Sequence, residues 1–237
     1  MFSDKFMRRN KGMKIIWHGH SFIEVKTAGK QILIDPFIDG NPFTKTKAAD
    51  FSPDYILLTH AHGDHVGSTE EIAKRCGASI VAMTDLAGYF AEKGFKTYGP
   101  NIGGTEKLDF GDVKIIPAWH TTATPVNGVN LPLGVATGLA LKIEGKLIYI
   151  AGDTGLFSDM QLVGRKQPVD VAFLPIGDHF TMGGDDAAYA AKLLQAKTVV
   201  PVHYNTFPTI KADPQDFLQL LDKGQGYIPE VDQPWSL

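Results

Sequence analysis

The stretch Asp54-Tyr55-Ile56-Leu57-Leu58-Thr59-His60-Ala61-His62-Gly63-Asp64-His65 decides how this chain is read. Its first half is an apolar run of strand length and predicts a short buried strand. Directly behind it, four metal-competent side chains, His60, His62, Asp64 and His65, fall within six consecutive residues. Imidazoles and carboxylates suit zinc and its first-row neighbours. Gly63 lets the chain turn sharply enough for ligands on both sides to converge, and Asp64 and His65 then lie near the start of a helix. A solvated polar loop is the competing reading. Such residues rarely crowd directly behind an apolar strand, so the stretch reads as a metal site.

Working outward, Lys14 to Trp17, Ser21 to Lys26 and Gln31 to Ile34 read as short strands. Ala28-Gly29 makes a hairpin turn, and Asp35-Pro36 closes the third strand. Ser68 or Thr69 caps a helix to about Arg75, and Ser79 to Met83 is the next strand. Asp85 caps a helix that Gly94 stops, and Val113 to Ala118 is a strand leading to His120. The second half repeats the order. Leu139 to Ile143, a Glu144-Gly145 turn and Leu147 to Ile150 form a hairpin ending in Gly152-Asp153. Asp170 to Leu174 runs into Gly177-Asp178-His179, and a helix over about Asp185 to Gln195 precedes a strand at Thr198 to Val202. Hairpins mixed with strand-helix-strand units predict an α/β fold: a four-layer αββα sandwich of two mixed sheets with pseudo-duplicated halves.

At 237 residues and 43% apolar content the chain can bury its own core, and residues 13–237 are expected to form one domain. Residues 1–12 read as a disordered extension or an upstream start before Met13. Their Lys5, Arg8, Arg9 and Lys11 precede no apolar segment of signal-peptide type. No run approaches the roughly 18 apolar residues of a membrane span. The net charge of -3 provides no electrostatic case for nucleic acid or an anionic membrane. Cys76 is the only cysteine, expected as a small buried apolar residue, and fits a reducing, cytoplasmic location.

Four ligands in one loop cannot fully hold two ions, so the motif needs partners from other strand ends. His120, Asp153 and His203 each follow an apolar run directly, in Pro117-Ala118-Trp119-His120, Ile150-Ala151-Gly152-Asp153 and Val200-Pro201-Val202-His203. Taken singly each could be structural; beside the first motif each is a candidate ligand. His-x-His-x-Asp-His followed at long range by His, Asp and His resembles the metallo-β-lactamase fold superfamily of metal-dependent hydrolases, over Asp35 to His203. Within it, His18-Gly19-His20-Ser21, Asp35-Pro36-Phe37 and Gly177-Asp178-His179-Phe180-Thr181-Met182 look like the UPF0173 metal-dependent hydrolase branch, akin to the ascorbate-phosphate lactonase-like proteins. The resemblance implies that His60, His62 and His120 hold one metal, that Asp64, His65 and His203 hold the other, and that Asp153 bridges them.

Two divalent ions, Zn2+ first with Mn2+, Fe2+ or Ni2+ as alternatives, lower the pKa of a shared water to about 7, providing a hydroxide nucleophile. With Asp64 and Asp153 contributing -2 and the hydroxide -1, the core keeps roughly +1, a field suited to a small, anionic ester, lactone or phosphodiester. Asp64 and His179 are the candidate catalytic side chains, His179 as proton donor or oxyanion partner. Asp35 is expected to accept from a ligand imidazole N–H, against the reading of a turn aspartate. His18 and His20 straddle Gly19; one can line the pocket, but a structural role for both ranks ahead. Tyr204 is a conceivable oxyanion donor whose commoner role is packing. Thr121 to Thr137 reads as a long loop that either covers the metals or forms a homo-oligomer interface, and Ile38 to Ala49 is a second cover. A di-iron redox protein and a non-catalytic metal-stabilised binding protein are the alternatives on the same ligands.

Overall fold

The computed structural model describes residues 12–237. The expected N-terminal extension lies, apart from Gly12, outside the described residues. In chain order the elements are β1 (Lys14–Trp17), β2 (Ile23–Thr27), β3 (Lys30–Ile34), β4 (Tyr55–Leu57), α1 (Gly63–Val66), α2 (Thr69–Cys76), β5 (Ser79–Val81), α3 (Thr84–Glu92), β6 (Thr97–Tyr98) and β7 (Thr105–Leu108). They continue with β8 (Gly111–Pro117), β9 (Ala123–Val126), β10 (Val129–Pro132), β11 (Thr137–Ile143), β12 (Lys146–Ile150), β13 (Val171–Pro175), α4 (Gly184–Leu193), β14 (Thr198–Val202), α5 (Pro214–Gln219) and β15 (Pro234–Ser236).

One sheet has the order β15-β1-β2-β3-β4-β5-β6 and the other β14-β13-β12-β11-β8-β7. Each is antiparallel through its hairpin and parallel beyond it, changing sense after β3 and after β12. The apolar runs of β4 and β13 are buried along their whole length, as strands covered on both faces must be. Helix α3 lies against β5 and β6, and α4 against β13, completing a four-layer αββα sandwich of two mixed sheets. A continuous cluster of buried apolar side chains extends from Met13 to Phe217.

The halves share more than element order. Asp54, ahead of β4, accepts from the Gln31 amide at 3.0 Å, while its own amide donates to the Gln31 carbonyl at 2.9 Å. Asp170, ahead of β13, repeats both bonds with Leu147, at 2.9 and 2.8 Å. The hairpin turns match as well: Ala28-Gly29 has φ of 48° and 78°, Glu144-Gly145 49° and 79°. Positive φ at both central residues is what a two-residue hairpin loop needs to follow strand twist.

Buried Asp170 also pairs with Lys197 Nζ at 2.8 Å. Burial opposes its charge, but Lys197 and the Leu147 amide outweigh it and hold its pKa below the ordinary carboxylate value. A depressed folded pKa contributes stability above the unfolded value of about 3.9 and loses it as pH falls through the folded value. Asp170→Asn is therefore expected to lower urea stability by about 1 kcal/mol at pH 7, a modest figure because Lys197 is exposed. The difference from the parent should close below pH ~4; a gap unchanged at pH 3 would remove the charge from the account.

Three local expectations are corrected. The segment expected as a loop over Thr121 to Thr137 carries the β9–β10 ribbon, turned by Asn127-Gly128 with φ of 50° and 79°. Asn-Gly between apolar residues is a strong hairpin signal that the length of the segment obscured. Helix α3 starts at Thr84 with Met83 at its N-cap, whose Sδ accepts the Asp85 amide at 3.2 Å, so Asp85 sits inside the helix rather than capping it. Cys76 is half-buried at the end of α2, with its thiol donating to the Ile72 carbonyl at 3.0 Å.

Candidate metal centre

Six strand ends deliver the centre. His20 follows β1, Asp35 directly follows β3, His60 follows β4, His120 follows β8, Asp153 follows β12 and His203 directly follows β14. The first turn of α1, with the His65 and Val66 amides both donating to the His62 carbonyl (3.0 and 2.9 Å), folds Asp64 and His65 back toward His60 and His62. Thr59 joins the two halves: its carbonyl accepts from the Thr137 amide at 3.1 Å and the Thr137 hydroxyl at 2.7 Å. Gly152 makes the Asp153 turn pack on this junction. A Cβ there would stand 2.8 Å from the Thr137 carbonyl oxygen and 2.9 Å from Thr59 Cβ, at a φ of 62°. Only glycine fits.

Donor atoms converge in two groups, each within 4.8 Å: His60, His62, His120 and Asp153 in one, His20, Asp64, His65 and His203 in the other. Asp153 lies between them. Its carboxylate is 3.2 Å from His65 Nε2, 3.1 Å from His203 Nε2, 3.6 Å from His120 Nε2 and 3.9 Å from His60 Nε2. His65 Nε2, His203 Nε2 and Asp153 Oδ1 are buried yet none has a hydrogen bond, since their ion-pair distances come without hydrogen-bond alignment. A buried polar atom without a partner costs about 1–3 kcal/mol. Several such atoms aimed at each other, all of ligand type, fit a divalent cation held between them.

The outward nitrogens of His65, His60 and His20 are held by neighbouring groups. Asp35, fully buried, accepts from the Thr59 amide at 2.9 Å and the Thr59 hydroxyl at 2.6 Å, and takes His65 Nδ1 at 2.8 Å. With its proton committed to Asp35, the Thr59 hydroxyl accepts from His60 Nδ1 at 3.0 Å, so His60 Nε2 faces inward unprotonated. His20 Nδ1 meets Thr206 Oγ1 at 2.8 Å.

Electrostatics divide the imidazoles. Burial opposes a charge on His65, but Asp153 and Asp35, one on each nitrogen, hold its pKa well above the usual value. Burial likewise opposes the Asp153 charge and is outweighed by His203 and His65, which hold the carboxylate well below its usual range. Burial dominates at His20, whose pKa falls to about 4, and at His60, His62 and His120, also lowered. These are neutral rings, the form in which imidazole binds a metal. His62, Asp64 and His120 are half-buried and form the open side of the centre.

Residues 30–204 match the model of the β-lactamase superfamily domain. A UPF0173 metal-dependent hydrolase from Ligilactobacillus salivarius is 66% identical over 225 residues, covering 95% of this chain and 100% of its own length. The chain belongs to the UPF0173 metal-dependent hydrolases of the β-lactamase superfamily. Its relative in Geobacillus thermodenitrificans is 56% identical over 215 residues, 90% of this chain and 95% of that one. Among solved structures, Igni18, a metallo hydrolase from Ignicoccus hospitalis, superposes with a TM-score of 0.87 at 38% identity, covering 95% of this chain and 98% of that chain. This UPF0173 protein is thus a metal-dependent hydrolase on the metallo-β-lactamase fold.

Of the residues singled out from sequence, His60, His62, Asp64, His65, His120, Asp153 and His203 come together, with Asp35 behind His65. His179 does not join them: it is exposed and packs on exposed Phe180, 4.5 Å between rings. Its loop borders the centre, because the Met182 amide donates to the Thr154 carbonyl (3.0 Å), next to Asp153. Tyr204 packs on Trp17, 5.8 Å between rings, and burial pushes its phenol up to about 12. His18 is structural, held between Glu24 (3.2 Å) and Asp232 (2.7 Å). The same Asp232 ties down the segment expected as a second cover, through Thr44 Oγ1 at 2.8 Å and the Lys45 amide at 3.3 Å. His20 is the residue the sequence reading undervalued, and Thr59 and Thr206 were not singled out. The signals for His20 were its place just past a strand end and in the His18-Gly19-His20-Ser21 motif, both of which His18 shares.

Proposed function

We propose that this hydrolase works with two divalent ions, one on His60, His62 and His120, the other on Asp64, His65 and His203, with Asp153 shared. The observation that carries the reading is Asp153, a buried carboxylate within 3.9 Å of four imidazole nitrogens from both groups. Bound divalent ions supply a water of pKa about 7 and polarise the bond to be broken. The chain's own groups then orient and balance charge. Asp35 and Thr59 fix the His65 and His60 rings, Asp64 and Asp153 leave the core slightly positive, and the open His62–His120 side admits the substrate. That field favours a small anionic ester, lactone or phosphodiester. Zn2+ is the leading ion for the three-imidazole set. The single cysteine fits a reducing, cytoplasmic location, and residues 13–237 read as one domain.

The test is a panel of phosphodiester, lactone and ester substrates on protein reconstituted with each metal in turn. Turnover that follows two-ion loading supports the reading; two bound ions with no turnover across the panel favour a metal-stabilised binding protein. His179, on the bordering loop, is proposed to donate a proton or hold the developing oxyanion. His179→Ala is expected to lower kcat about 100-fold or more at unchanged metal content. An unchanged kcat retires that role.

A further inference from the structure

His20 is completely buried, yet its ring is not packed as an ordinary core histidine. Its backbone occupies the left-handed region at φ 50°, a conformation that costs a non-glycine residue about 1–2 kcal/mol and persists only where surrounding contacts enforce it. Those contacts come from the centre itself. The His20 carbonyl accepts from the His203 amide at 3.2 Å and from Trp17 Nε1 at 2.9 Å. The ring stands 4.2 Å from that of His203 and 5.6 Å from that of His65.

The proton positions follow from the neighbours. The Thr206 hydroxyl donates to the Tyr204 carbonyl at 3.4 Å, so it offers a lone pair to His20 Nδ1–H at 2.8 Å. The ring's other nitrogen, Nε2, faces Asp64 Oδ2 3.2 Å away, inside the second group of donors. An imidazole nitrogen and a carboxylate oxygen at that spacing are two donors that one cation can share. A hydroxyl on the outer nitrogen and an inner nitrogen turned toward other ligand-type atoms is the arrangement of a ligating histidine.

Resting on the dinuclear reading above, we propose that His20 is itself a ligand, which makes the two ions unequal. The first has three imidazoles and the shared Asp153. The second has three imidazoles, His20, His65 and His203, with Asp64 and the shared Asp153. Four donors suit tetrahedral Zn2+, which catalytic sites hold with about three protein ligands and a water. Five nitrogen and oxygen donors suit an ion of higher coordination number such as Fe2+ or Mn2+. The second site thus selects a different metal, and the loaded enzyme is a mixed-metal hydrolase.

The experiment uses the full-length apo-protein, loaded with Zn2+, Mn2+ or Co2+ alone and in pairs. Stoichiometry is read by elemental analysis, site affinities by chelator competition, and coordination by the visible spectrum of Co2+. The parent is expected to bind two ions, one with the intense spectrum of four-coordinate cobalt and one with the weak spectrum of a higher-coordinate ion. His20→Ala and His20→Gln should each weaken the second ion at least about 10-fold while the first stays within about twofold, which also reports that the fold is intact. The glutamine separates two roles, since its amide can still donate to Asp64 but is a poor ligand. Full second-site affinity in His20→Gln with loss in His20→Ala makes His20 a hydrogen-bond partner of Asp64 and overturns the proposal. Two equally tetrahedral cobalt ions in the parent, or full affinity in both variants, also overturn it while leaving the dinuclear reading intact. One ion in the parent overturns both. If His20→Ala does not fold, Thr206→Val decides: a selective second-site loss supports ligation, and none refutes it.

Discussion

Asp153→Asn is expected to lower kcat/KM by at least about 100-fold on any substrate the parent hydrolyses, and to leave fewer than two ions bound per chain. The scale is the upper end of what losing one supporting contact around a bound metal costs, and Asp153 stands among the donors themselves rather than behind them. Its carboxylate reaches donors of both sets within 3.9 Å, from His60 and His120 on one side to His65 and His203 on the other. The amide has almost the same shape, so packing at Gly152 and Thr59 is preserved and the change is chiefly one of charge. Metal content per chain, beside kcat/KM, is the check. Two ions and full activity in Asp153→Asn would end the shared-ligand reading.

Asp35→Ala is expected to weaken metal binding about 10- to 100-fold and to destabilise the apo-protein by about 3–5 kcal/mol. The two effects have one cause. Asp35 and His65 are both fully enclosed, and the carboxylate satisfies His65 Nδ1, the Thr59 amide and the Thr59 hydroxyl together. Removing it strands a buried imidazole that is held charged by its carboxylate neighbours, and frees Thr59 from the orientation that directs His60. Urea midpoints of the metal-free proteins measure the loss of stability, and chelator competition measures the loss of metal affinity. If metal affinity stays within about twofold, Asp35 is only a turn residue.

Much of the centre was legible from sequence because its chemistry is concentrated. His60 to His65 is a local cluster, and His120, Asp153 and His203 each end an apolar run, so their residue types and strand-end positions could be read without coordinates. The repeat of hairpin, parallel strand and helix was equally visible, and the matched Asp54 and Asp170 networks are its side-chain counterpart. His20 could not be separated from His18 in the same way. One residue apart across Gly19, they share a local pattern; the left-handed turn at His20 sends one ring to His203 and leaves the other with Glu24 and Asp232. His179 looked equivalent to the main motif because its loop occupies the matching place in the second half, yet that loop ends with the ring exposed.

By itself the sequence determined the fold class, the strand ends and the kinds of donor available, because hydrophobic period, turn residues and ligand chemistry are properties of neighbouring residues. Only the tertiary structure decided which donors converge in one group. His20 and His203 lie far apart in the chain and meet through a backbone hydrogen bond of 3.2 Å and rings 4.2 Å apart, and the Thr59–Thr137 junction sets Asp153 between the groups. Such choices depend on how two sheets pack and on which nitrogen of each ring a buried partner takes.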